Sequence, residues 1–245
     1  MPPAFALNAV EVAYRGRQAL GPVDLAIPAG EVVALVGPSG CGKSTALRLL
    51  AGLEAPTRGE VVRPAGRRET AVVFQHPTLM PWATAEANAA LPLELSGVSR
   101  SDAAVRAAAA LGAVGLKGAE QLKPAQLSGG MAMRVSLARA MAVEPRLLLL
   151  DEPFAALDEI TRRALADDVL NLWSGARPAI VFVTHNVEEA VYMAGRVVVL
   201  TPGPGRIAGE VVVEGPRLRP PRFRTTPGFR EAAERVSALL EGALR

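Results

Sequence analysis

Cysteine occurs once in the 245 residues, at Cys41, so no internal disulfide framework can form and no cysteine cluster can hold a metal. Lysine is almost absent, confined to Lys43, Lys117 and Lys123, and nearly all cationic side chains are arginine. Half of the residues are apolar, yet no run approaches the roughly 18 apolar residues that a membrane-spanning helix needs. The longest, residues 107–116, is too short and carries Gly112 and Gly115. The opening Met-Pro-Pro-Ala-Phe lacks the basic start and apolar run of a signal peptide. These absences predict a reduced, soluble, intracellular protein. Charge of either sign is also modest, with a net value of +3. Its one concentration is Arg217, Arg219, Arg222, Arg224 and Arg230 in the tail. That cluster reads equally as a solvated segment or as a contact for an anionic, membrane-proximal surface.

What is present is a rhythm of short apolar, β-branched runs separated by helical stretches. Runs at residues 10–14, 23–27, 32–36, 70–74, 147–150, 179–183 and 196–200 read as strands. Several are unbroken, as in a parallel sheet buried on both faces. Helices are predicted at 43–50, 159–173 and 187–194. The fold class is therefore α/β, with ligands expected at the carboxyl ends of the strands. Residues 78–145 break the rhythm as a mainly helical lobe, with one helix from Gly129 to about Val143, set between core segments 1–77 and 146–205. Residues 206–245 read as a hairpin (206–213), a Pro/Arg-rich connector and a terminal helix capped by Thr226 with Pro227 in its first turn. On that helix Phe229, Val236, Leu239, Leu240 and Leu244 share a face expected to pack on its own domain.

Residues 37–45 read Gly37, Pro38, Ser39, Gly40, Cys41, Gly42, Lys43, Ser44 and Thr45. This is the G-x-x-x-x-G-K-[ST] phosphate loop, between a strand and a helix as its chemistry requires. Glycines let backbone N–H groups turn to the phosphates, and the helix directs its positive end at them. Lys43 is a compact charge for the β- and γ-phosphates, and the Ser44 hydroxyl a ligand for Mg²⁺. ATP and Mg²⁺ are thus the expected cofactors. Cys41 reads as a bystander whose alkylation would block nucleotide binding and which ATP would protect.

The strand at 147–150 ends abruptly in Asp151 and Glu152. Adjacent acids there are costly unless paired or metal-bound, and strand alternation sends them in different directions. Asp151 suits the metal and Glu152 the attacking water. His185 closes another strand and suits the γ-phosphate, with Asn186 as cap of the next helix; Gln75 ends a third strand and suits water or Mg²⁺. His76, before Pro77, reads as a surface residue.

Together these residues resemble the ATP-binding subunit of an ABC transporter over essentially the whole chain. The carriers are residues 37–45, Gln75, Leu127-Ser128-Gly129-Gly130, residues 147–152, Ala156-Leu157-Asp158 and His185, in the family's order. The resemblance implies a P-loop ATPase core with a mainly parallel sheet, an antiparallel β part and an inserted helical subdomain. It implies Tyr14 against adenine, Lys43 and the loop on the phosphates, and Ser44, Asp151 and Gln75 on Mg²⁺. Glu152 becomes the general base and His185 the γ-phosphate contact. Ser128, Gly129 and Gly130 complete the site on the other subunit of a head-to-tail dimer, which Asp158 helps to link. Departures are Met131 for the commonest Gln, Ala132-Met133 for Arg-Gln, and Ala155 for Gly or Ser.

Residues 74–82, 184–192 and 202–206 further resemble the nitrate/sulfonate/taurine importer branch. That implies a small, anionic solute, a separate transmembrane permease docking near Trp82, an extracytoplasmic solute-binding protein, and residence on the cytoplasmic face of the cell membrane. Nucleic acid is not an expected partner. The alternative is a soluble ABC ATPase not coupled to transport, of the iron–sulfur assembly type, which the segments around Pro81-Trp82 and Val187-Glu188-Glu189-Ala190 disfavour.

Overall fold

The structure is a computed structural model and describes residues 4–63, 69–216 and 218–244. The chain runs β1 (Phe5–Tyr14), β2 (Arg17–Ile27), β3 (Val32–Val36), α1 (Lys43–Ala51), β4 (Arg58–Val62) and β5 (Thr70–Val73). The lobe follows as α2 (Ala85–Leu95), α3 (Arg100–Ala113) and α4 (Gly129–Met141). Then come β6 (Leu147–Asp151), α5 (Glu159–Ala176), β7 (Ala179–Thr184), α6 (Val187–Met193), β8 (Arg196–Leu200), β9 (Ile207–Val212) and α7 (Pro227–Ala243).

The central sheet has the order β5-β6-β7-β3-β8-β9, parallel except for β9, and β2-β1-β4 form a separate antiparallel sheet. Strand alternation divides the core in two. Val32, Ala34, Val36, Leu148, Leu150, Ile180 and Phe182 face the lobe and helices α5 to α7. Val33, Leu35, Leu147, Leu149, Val181 and Val183 face α1 and the antiparallel sheet. All are buried, which is why these strands read as unbroken apolar runs; truncating one of the leucines or Ile180 to alanine costs roughly 2–5 kcal/mol.

Caps set the helix starts where short polar residues stand. Thr84, Ser99, Ser128, Asp158, Asn186 and Thr226 each accept a backbone N–H from the first turn of α2 to α7 in order. In the lobe, fully buried Asn88 accepts the Met80 N–H at 2.7 Å and donates to the carbonyls of Met80, Ala83 and Thr84, fixing the entry loop.

Several expectations need correction. Residues 206–213 are not a hairpin in themselves: β9 pairs with β8, so the hairpin spans the proposed boundary at 205. The helix from Gly129 stops at Met141, because Glu144 takes a positive φ of 53° and the chain turns into β6. β4 was not foreseen, since its Arg-Gly-Glu start is too polar and too short to read as a strand. On α7, Phe229 and Val236 are buried but Leu244 is exposed. The tail arginines do not form one surface. Arg219 is buried under Phe223 and donates to the carbonyls of Ala194 and Val213, while Arg224 stacks on Tyr192. Arg217 lies outside the described residues, as do the first three residues.

Candidate functional site

β3, buried between β7 and β8, delivers the chain into the loop at Gly37. Gly40 and Gly42 take positive φ values of 77° and 95°, which a side chain would resist. Ser39 and Gly40 are exposed at the rim and Pro38 is half-buried. The loop is packed from behind. A Cβ on Gly37 would meet Cys41 Sγ and the Leu200 carbonyl, and one on Gly205 would fall 1.8 Å from the Cys41 carbonyl oxygen. The Gly21 N–H in turn donates to the Gly205 carbonyl. The segment 202–206, given no role by the sequence, is thus the loop's support.

Lys43 is buried, and its ammonium donates to the carbonyls of Gly37 at 2.8 Å and Pro38 at 3.0 Å, arching over the loop. Thr45 is buried behind it. Cys41 is fully buried, with its Sγ 3.8 Å from the Lys43 ammonium, so a reagent reaches the thiol only if the loop opens. Tyr14 is nearly half exposed beside the loop, and its hydroxyl donates to Glu54. Burial, and then the Glu54 carboxylate, push its phenol pKa up.

At the end of β6 the two acids diverge as alternation requires. Asp151 Oδ1 accepts the Ser44 hydroxyl at 2.9 Å. Glu152 has a φ of 45°, unusual for a residue with a side chain, and its N–H donates to the Val183 carbonyl of β7. Its Oε2 lies 3.3 Å from His185 Nδ1. An ionised carboxylate only accepts, so Nδ1 carries the proton in this contact. A neutral ring then presents Nε2 as an acceptor. For His185 to donate to a phosphate, the ring must be protonated or must leave Glu152. Gln75 lies exposed just past β5, the strand beside β6. His76 is exposed too.

Ser128, Gly129 and Gly130 open α4, where Ser128 Oγ accepts the Met131 N–H at 3.2 Å. Ser128 and Gly130 line a cavity of about 430 Å³ with Lys117, Arg134 and Thr161, and no residue of the loop borders it. The structure therefore does not bring these residues to the loop of their own chain. Asp158 caps α5, accepting from the N–H groups of Ile160 and Thr161 and from the Thr161 hydroxyl at 2.6 Å. The Thr161 hydroxyl, and then its N–H, hold the Asp158 carboxyl below its ordinary pKa.

The family model described as ABC transporter matches residues 20–155. An uncharacterised ABC transporter ATP-binding protein of Methanocaldococcus jannaschii is 43% identical, over 91% of this chain and 85% of that protein. The taurine import ATP-binding protein TauB of Yersinia pestis is 44% identical over 79% and 78%, and the nitrate import ATP-binding protein NrtD of Synechocystis 40% over 96% and 93%. A solved dimeric bacterial ABC transporter cassette superposes with a TM-score of 0.76 at 33% identity, over 86% of this chain and 99% of its own; a post-hydrolysis form bound to ADP and Pi matches equally.

The chain belongs to the ABC transporter family. It is an ABC-type ATPase, with that family's core sheet, antiparallel sheet and helical lobe. Sequence reasoning nonetheless missed several polar residues of this ABC protein. Arg139 of α4 donates to the Pro77 and Thr78 carbonyls and to Thr78 Oγ1, tying the segment after Gln75 to the lobe, and burial lowers its pKa. Glu189 and Thr184, both buried, form a network with half-buried Arg162 beside Glu152 and His185. An arginine among so many carried no signal, and Glu189 entered the sequence reading only as part of the segment 184–192, with no role of its own.

Proposed function

We propose that this ABC ATPase energises an import system, hydrolysing Mg–ATP between two copies of itself and driving uptake of a small anionic solute through a separate permease. The observation that carries the hydrolytic part is the divergence at the end of β6, where Asp151 meets Ser44 and Glu152 meets His185. One acid serves the metal side of a γ-phosphate bound over residues 37–45, and its neighbour serves the water side.

Ser44 Oγ and Asp151 Oδ1 are hard oxygen donors at the mouth of the loop, and such a pair fits Mg²⁺. Among the described residues no cluster of three or more His, Cys, Asp or Glu could hold a metal by itself. This also suits Mg²⁺, which binds through one or two protein oxygens together with phosphates and water. The ion would neutralise charge on the β- and γ-oxygens. Lys43 and the loop N–H groups hold the phosphates, Glu152 takes the proton of the attacking water, and Gln75 orients it from the next strand. Tyr14 offers an exposed ring for the adenine.

Ser128–Gly130 serve the nucleotide of a second copy, a reading supported by the dimeric likeness and by a cavity at Ser128 and Gly130 that no residue of their own loop borders. The TauB and NrtD relatives support nitrate-, sulfonate- or taurine-like cargo, with an external binding protein delivering it. No helix among the described residues is long and apolar enough to cross a membrane, so a permease would hold the protein at the cytoplasmic face. Exposed Trp82 and Leu95 mark the lobe surface for that docking.

Co-expression with the permease of a neighbouring gene tests this reading. A stoichiometric complex, whose ATP turnover in vesicles rises with binding protein and solute, is expected. Failure to retain any membrane protein, with unstimulated turnover, overturns it.

A further inference from the structure

Glu189 is buried on α6, close behind the residues assigned to hydrolysis. Its Oε2 accepts the Thr184 hydroxyl at 2.6 Å, and its Oε1 lies 3.3 Å from Arg162 Nε. The Thr184 oxygen also accepts the Asn186 N–H at 3.0 Å, and Asn186 Oδ1 accepts the Glu189 N–H at 3.1 Å. His185 is therefore bracketed on both sides by residues bound to Glu189. On the other flank, Arg162 of α5 donates through Nη2 to the Leu157 carbonyl at 3.1 Å, immediately before Asp158. Glu152, Ala155, Arg162, Thr184, His185 and Glu189 enclose one small cavity between these parts.

A buried ion pair is weak as a stability device, because desolvation offsets most of its attraction. What it fixes is geometry. The groups facing Glu189 are Arg162 and Glu159 from α5, His185 at the end of β7, and Glu152 across the cavity. Burial pushes its carboxyl pKa up, while Thr184, Arg162 and His185 oppose that rise.

We propose that Glu189 is a positioning residue that, through Thr184 and Arg162, holds His185 and the Leu157–Asp158 turn in one frame. This rests on the reading above, in which His185 meets the γ-phosphate and Asp158 the second copy. The frame makes contact with nucleotide and contact between subunits a single event. Neither group moves without disturbing Glu189's hydrogen bond to Thr184 or its ion pair with Arg162.

Steady-state ATP turnover of the intact protein tests it. Glu189→Gln keeps an acceptor for Thr184 but loses the ion pair, and should lower kcat about 10- to 100-fold with KM changed less than about 2-fold. The Hill coefficient for ATP should fall toward 1, a readout that general loosening would not move selectively. Arg162→Gln should do the same, and the double variant should be no worse than either single. Arg162→Lys, which retains the charge, should recover part of kcat and keeps the test open if Glu189→Gln fails to fold. Arg163→Gln, on the exposed face of the same helix, should be neutral. Wild-type kcat and Hill coefficient in Glu189→Gln, or independent multiplication of the two losses, overturns the proposal. Wild-type turnover in Glu152→Gln would instead sink the underlying reading. An inactive Glu152→Gln beside a wild-type Glu189→Gln would sink this proposal alone.

Discussion

The hydroxyl of Ser44 and the carboxylate of Asp151, on elements 107 positions apart, meet at 2.9 Å. Asp151→Asn preserves the shape and an acceptor for Ser44 while removing the charge. Hydrolysis should fall at least about 100-fold, and the Mg²⁺ concentration for half-maximal activity should rise. Titration of turnover against Mg²⁺ checks this, and an unchanged midpoint would refute the metal assignment.

Glu152→Gln should still bind ATP but lose about 10²–10⁴ of the rate expected of a general base. With ATP it should accumulate as a dimer on size-exclusion chromatography. A monomer turning over at the wild-type rate would remove Glu152 from the chemistry.

Gly205 and Gly203 give a paired test of the loop's support. A methyl on Gly205 would lie 1.8 Å from the Cys41 carbonyl oxygen, whereas one on Gly203 would rest 3.5 Å from that of Gly40. Gly205→Ala should weaken ATP binding at least about 10-fold, since overpacking of this kind costs about 1–3 kcal/mol. Gly203→Ala should bind normally. Equal affinities by fluorescent-nucleotide titration would mean that the loop does not depend on this backing.

Cys41 should resist alkylation by iodoacetamide in the folded protein, with or without ATP, and react fully in denaturant. Rapid native labelling that ATP suppresses would return the thiol to the nucleotide surface.

The Tyr192 hydroxyl donates to Asp167 at 2.6 Å, and burial first, then Asp167, push its pKa up to about 12. Because the folded-state value lies above the ordinary 10.0, its stabilisation is complete below about pH 10 and lost as pH rises toward about 12. Tyr192→Phe should cost about 1–3 kcal/mol at neutral pH. The gap in Tm between the two proteins should narrow above pH 10; a constant gap would deny the linkage.

The loop, the acids of β6 and the caps at Ser128, Asn186 and Thr226 were legible because each depends on a few residues at fixed spacing, whereas those at Thr84, Ser99 and Asp158 were not read. β3, β6 and β7 were legible for a different reason: burial on both faces leaves only apolar side chains until Asp151 and Thr184 at the carboxyl ends of β6 and β7. β4 was not, because it lies at the edge of the antiparallel sheet and keeps polar residues on its exposed side. The pairing of residues 206–213 was misplaced because local turn signals do not reveal that β9 completes the sheet beside β8. The pairing of Glu189 with Arg162 escaped notice, since only tertiary packing brings α5 against α6. The burial of Cys41 likewise depends on the chain at Gly205, which sequence distance hides.

β5 and β6 are parallel neighbours, with Val73 opposite Leu150, and the whole lobe lies between them in the chain. Topologically the lobe is an overgrown crossover, standing where a single helix would suffice to join two parallel strands. Growth or shrinkage there leaves strand order, register and the hydrolytic edge of the sheet untouched. A lineage could therefore remodel the lobe away from Ser128–Gly130 as freely as it lengthens a loop, while the chemistry at the ends of β5 and β6 stays as it was.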